Sequence, residues 1–161
     1  MHLPYFKQET SYTCGAAALR MVLASIGINK TEKQVSKILG TNERKGTLHN
    51  DFMKVAEHLK LSYVVGRKSS IKDLKKLQEN NYRIIVNYLL PVTKVGHYAV
   101  VREVGSKYIH LLDPFIGPNQ TYPISHFIKN WKSGFEKDYS RWFFAIKKWK
   151  KRCIGDWEYS F

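Results

Sequence analysis

The sequence predicts an α+β domain, with helices first and an antiparallel sheet after them. Two observations carry that prediction. Apolar residues at helical spacing fill the first half, and short runs rich in β-branched and aromatic residues fill the second. Helices followed by strands, rather than alternating with them, imply segregated layers and not βαβ units. At 161 residues the chain is long enough to bury one core without staples.

From Cys14 to Ile26, the residues Ala17, Ala18, Met21, Val22, Leu23 and Ile26 cover most of a helix circumference. Such a helix belongs in the interior, and Gly27 stops it. TEKQVSKILG offers Thr31 as N-cap with Gln34 three residues on, a capping box closed by Gly40. In TLHNDFMKVAEHLK, residues 47–60, the apolar residues Leu48, Phe52, Val55, Ala56 and Leu59 recur at helical spacing. That places His49 and His58 on a surface helix. IKDLKKLQEN starts from Ser70 as N-cap, with Asp73 in its first turn. YRIIVNYLL, GHYAVVREV and KYIHLLDPF then read as strands separated by Pro91 and Gly105. GPNQTYP reads as a loop, a short helix begins at Ser125, and RWFFAIKK is the last strand. The chain therefore divides into a domain over 1–148 and a basic, then aromatic, tail over 149–161.

Twenty-seven Lys and Arg against thirteen Asp and Glu leave a formal charge of +14. Such a balance favours an anionic partner or a membrane surface and says nothing about fold. The charge is scattered and no nucleic-acid motif is visible, so no specific nucleic-acid partner is predicted. The two cysteines, Cys14 and Cys153, exclude a disulfide framework and a Cys-rich zinc site. No charged n-region precedes an apolar h-region, and no apolar run has the length of a membrane span. The expectation is a cytoplasmic protein with reduced thiols.

The seam in QETSYTCGAAAL carries the chemistry. A cysteine in the first turn of a helix meets the positive end of the macrodipole and unpaired backbone N–H groups, which favour the thiolate. Taken alone, Cys14 reads better as a small buried residue. His97 opens the strand GHYAVVREV, and sixteen residues later Asp113 closes the next strand in HLLDPF. A three-residue loop over Val104–Ser106 makes His97 and Asp113 direct cross-strand neighbours on one face. Asp113 would then accept the Nδ1 proton of His97 and leave Nε2 to act on the thiol. A one-residue slip would separate them. Gln8, six residues before Cys14, has an amide that an oxyanion hole can use, although on the residues alone an exposed loop glutamine is the better reading.

The run Q-E-T-S-Y-T-C-G-A-A-A-L, followed by G-H-Y-A-V-V and L-L-D-P-F, resembles the C39 peptidases, a papain-like cysteine peptidase family. The Y-T-C-G sequence is more similar to stand-alone C39-like proteins than to the transporter-linked leader peptidases. The resemblance covers residues 1–148. It implies a helical lobe carrying Cys14 as nucleophile and an antiparallel sheet carrying His97 as general base and acid. It further implies Asp113 as the orienting residue, Gln8 as oxyanion donor, no cofactor, and a peptide or protein substrate. Hydrolysis and acyl transfer to an amine or thiol share this machinery, and a basic anion-binding module without catalysis is the alternative of another class.

Overall fold

The computed structural model describes residues 2–134 and 139–148. Its elements are α1 (Cys14–Ser25), α2 (Glu32–Leu39), α3 (Asp51–His58), β1 (Ser62–Gly66), α4 (Ile71–Glu79) and β2 (Arg83–Leu89). There follow β3 (Gly96–Val104), β4 (Tyr108–Asp113), β5 (Gly117–Pro123), α5 (Ile124–Asn130) and β6 (Phe143–Lys147). The strands form one antiparallel sheet in the order β1-β6-β2-β3-β4-β5.

α1 is the central support. Ala16, Ala17, Ala18, Met21, Val22 and Leu23 are fully buried, as an all-round apolar helix requires. It ends in a Schellman motif: Gly27, at φ 88, donates to Ala24 O, and Ile28 donates to Leu23 O. α1, α2 and α3 pack against one sheet face through Ile85, Tyr98, Val100, Leu112 and Phe144. The opposite face, with Val86, Tyr88, Ala99, Val101 and Leu111, is covered by Leu74 of α4 and Phe127 of α5. The first three helices thus form the lobe that carries Cys14, and the two later helices seal the back of the sheet.

Three local expectations are corrected. GPNQTYP is strand β5 rather than a loop; its partners come from β4, with Ile109 opposite Tyr122 and Leu111 opposite Gln120. The third helix begins at Asp51, not at Thr47, because Asp51 Oδ2 accepts the Leu48 N–H at 3.1 Å and turns the preceding residues aside. The short strand SYVVG was not foreseen; it pairs with β6 at the sheet edge. The tail over 149–161, with Cys153, lies outside the described residues.

The β3–β4 hairpin differs from the register read in the sequence. Its tip runs over Gly105–Tyr108, and Val104 pairs with Ile109. A bulge at Arg102 then shifts the pairing, so that Val101 faces Leu111 and Val100 faces Leu112. Continuing that ladder sets Asp113 across from Ala99, two residues from the expected partner. His97 and Asp113 are diagonal neighbours, not direct ones. They still share a face, because Arg102 adds the one residue that restores the alternation.

Candidate active site

Cys14 is the first residue of α1, immediately after Thr13, whose side chain makes no cap hydrogen bond to the helix. Thr13 instead ties down the lead-in: its hydroxyl accepts the Thr10 N–H at 3.1 Å. Cys14 lines a cleft of about 390 Å³. His97, at the start of β3, stands within hydrogen-bond reach of Cys14 and lines the same cleft.

The imidazole is turned opposite to expectation. Nε2, not Nδ1, faces Asp113 Oδ1 at 3.2 Å, which leaves Nδ1 for the cysteine side. The contact is close but not aligned for a linear hydrogen bond. Phe115 packs its ring edge-on to His97 with centroids 5.7 Å apart.

Asp113 is wholly buried and fully engaged. Oδ1 accepts the N–H groups of Phe115 at 2.8 Å and Ile116 at 2.9 Å, and Oδ2 accepts the Tyr88 hydroxyl at 2.5 Å. Burial pushes the carboxyl up, but the bond and charge of His97 and the Tyr88 bond outweigh it and hold Asp113 below the usual carboxylate range. For His97 burial favours the neutral ring. The bonds to Asp113 and Cys14, with the charges of both, reverse that and raise it to about 10.

The lead-in segment is stitched to the backbone that carries this carboxylate. Tyr5 donates its hydroxyl to Asp113 O at 2.9 Å, and the Gln8 N–H donates to Pro114 O at 2.9 Å. Gln8 is buried, with its amide nitrogen donating to Thr10 O at 2.7 Å. The structure thus brings the segments of Gln8, Cys14, His97 and Asp113 together. One amide hydrogen of Gln8 is left over from its bond to Thr10.

The sequence reading missed the walls of the cleft. His49, expected on a surface helix, is buried, and its ring packs against Tyr98, Tyr139 and Trp142. Tyr98 donates its hydroxyl to Thr47 O at 2.9 Å and shares a 3.1 Å hydrogen bond with His49 Nδ1. Asn87 also lines the cleft, its Oδ1 buried without a partner among the described residues. Asn87 and Tyr88 carried a legible signal, because they are the polar interruption in the otherwise apolar run IIVNYL, residues 84–89. Among the described residues no group of three His, Cys, Asp or Glu side chains is placed to hold a metal, and no helix is long and apolar enough to cross a membrane.

Residues 2–136 match the model of the peptidase C39 family. An uncharacterized protein of Methanothermobacter thermautotrophicus is 33% identical over 110 residues, covering 68% of this chain and 70% of the relative. Two solved structures share the fold. One is a double glycine motif protease from an AMS/PCAT transporter in complex with the leader peptide, at TM-score 0.70 and 22% identity, covering 91% of this chain and 93% of that one. The other is the peptidase domain of Streptococcus ComA, a bi-functional ABC transporter, at TM-score 0.70 and 20% identity, covering 91% and 97%.

Proposed function

We propose that this chain, which belongs to the peptidase C39 family, hydrolyses peptide bonds with Cys14 as nucleophile, His97 as general base and acid, and Asp113 as the residue that orients and charges the imidazole. The observation that carries the reading is the line from the helix-start sulfur to His97 and on to the buried Asp113 carboxylate, 3.2 Å from Nε2, opening on a cleft. With His97 raised to about 10, the ring is an imidazolium beside the sulfur at neutral pH.

The Cys14 sulfur attacks the scissile carbonyl and forms the C–S bond, and the oxygen takes the negative charge. The Cys14 N–H and the spare amide hydrogen of Gln8 stabilise that oxyanion. As the C–N bond breaks, His97 gives its proton to the departing amine, leaving a thioester. Water then attacks the thioester carbonyl, forming a C–O bond and passing a proton to His97, and the C–S bond breaks with its electron pair returning to the Cys14 sulfur. The acid product leaves, and the imidazolium–sulfur pair is restored.

A peptide library, including peptides with a Gly-Gly pair because a protein of like fold is a double glycine motif protease, is incubated with wild-type protein and Cys14→Ala. Turnover and covalent labelling by a thiol-directed peptide electrophile are expected in the first and lost in the second. Unchanged turnover in Cys14→Ala would sink the assignment. Adding candidate amines separates the outcomes, since a hydrolysed product alone marks a peptidase and an amide product marks an acyltransferase.

A further inference from the structure

We propose that Tyr88 is a positioning residue of the same site, fixing the Asp113 carboxylate so that one oxygen faces His97; this rests on the reading of His97 and Asp113 as a catalytic pair. Tyr88 lies on β2 directly opposite His97 on β3. Its hydroxyl reaches across β3 to Oδ2 of Asp113 on β4, about two strand spacings away. Three adjacent strands thus supply the hydroxyl, the imidazole and the carboxylate in one line.

The division of labour on the carboxylate makes Tyr88 more than a packing residue. Oδ1 receives the Phe115 and Ile116 N–H groups and the His97 contact, whereas Tyr88 is the donor found on Oδ2 among the described residues. Asp113 has no exposure, so water has no path to replace a lost donor. The 2.5 Å separation is that of a charge-assisted O–H···O⁻ bond. The phenol is itself held by the rings of Tyr122 and Phe127, with centroids 5.9 and 6.2 Å away. Burial, and after it the charge of Asp113, pushes its ionisation far up, so Tyr88 remains a neutral donor at every working pH.

Without the hydroxyl, the carboxylate loses what holds Oδ2 and is free to turn about its last bond. Nε2 of His97 then loses a fixed acceptor, and the imidazolium is less favoured. Tyr88 touches no substrate in this arrangement and acts through Asp113 alone.

The test places Tyr88→Phe, which keeps the packed ring, in wild-type and Asp113→Ala backgrounds. In the first, kcat for peptide hydrolysis is expected to fall roughly 10- to 100-fold, the range for a hydrogen bond to a charged group, with KM changed less than about threefold. In the second, kcat should change less than about twofold. A second measurement needs no substrate: the NMR titration of the His97 ring protons in the free protein. The charged groups facing that ring are Cys14 from α1 and Asp113 from β4. Tyr88→Phe should lower the midpoint in the wild-type background and leave it unmoved in Asp113→Ala. Equal losses in both backgrounds would mean that Tyr88 acts through packing, and no loss in either that the bond is idle; each result overturns the proposal. Wild-type protein that hydrolyses no peptide would defeat the hydrolytic reading only, and the titration would still decide the part played by Tyr88.

Discussion

Gln8 is held at two points, by its N–H to Pro114 O and by one amide hydrogen to Thr10 O. The remaining hydrogen is what an oxyanion would use. Gln8→Ala is therefore expected to lower kcat about 100-fold with little change in KM, the scale of losing one oxyanion donor. Steady-state kinetics checks this, and an unchanged kcat would remove Gln8 from the site. His49 poses a different question, because burial first and the Arg67 charge second lower it to about 4. Between pH 6.5 and 4 the unfolded chain binds a proton that the native ring refuses, so stability falls as pH drops through that window, by roughly 3 kcal/mol. Urea denaturation against pH should show this slope in wild type and a flatter one in His49→Gln. An identical slope in both would place the acid sensitivity elsewhere.

At the scale of elements, the site depends on how closely the helix start and the cleft wall approach. A Cβ on Gly15 would meet Thr47 Oγ1 at 2.7 Å and Thr47 Cβ at 2.8 Å, and the second atom has no rotamer by which to escape. Gly15→Ala should push the 41–48 wall off α1 and cost about 1–3 kcal/mol, the usual range for overpacking. Thr47→Gly in the same chain should recover most of that loss in thermal denaturation, and no recovery would locate the strain elsewhere. The elements most legible in the sequence are those closed by their own side chains. The Thr31–Gln34 box forms as read, with Thr31 Oγ1 accepting the Gln34 N–H at 3.2 Å and Gln34 Oε1 accepting the Thr31 N–H at 2.9 Å. The Ser70–Asp73 box forms likewise. What the local chain could not announce was set by partners distant in sequence. β5 looks like a loop because its Gly, Pro and Asn residues favour turns, and only pairing with β4 makes it a strand. The hairpin register was misread because the turn lies over Gly105–Tyr108 rather than Val104–Ser106, and the bulge that takes back one residue of that offset leaves no mark except two successive exposed residues, Arg102 and Glu103. The pairing of His97 with Asp113 survived that error because the offset preserved the face, while the choice of ring nitrogen did not survive it.

For the whole molecule, the titrating groups of the site and the cleft wall set opposite slopes of stability with pH. His97, raised to about 10, contributes stability that is complete below its unfolded value near 6.5 and is lost as pH climbs toward 10. Asp113, held low, contributes above about 3.8 and loses that contribution as pH falls, in the same direction as His49. Stability should therefore peak near pH 6–7, and His97→Gln should flatten the alkaline side and, by removing the charge that holds Asp113 low, weaken that residue's share of the acid side in urea denaturation against pH. Net charge acts on encounter rather than on the fold. The chain carries a formal +14, and the cleft is lined by Arg44 and Lys45 against Glu43. Such a field speeds the approach of anionic peptides and slows that of cationic ones, and salt screens both effects over about 10 Å at 0.1 M. On the proposed mechanism, once a peptide is seated, the steps between Cys14, His97 and Asp113 fall in a largely buried setting that salt reaches far less. For two peptides with the same scissile sequence, one flanked by Glu and one by Lys, kcat/KM should favour the acidic peptide several-fold at low salt. That preference should shrink toward unity by about 0.5 M, where the screening length is only a few Å. A preference that persisted at high salt would mean that specific contacts in the cleft, rather than the overall charge, select the substrate.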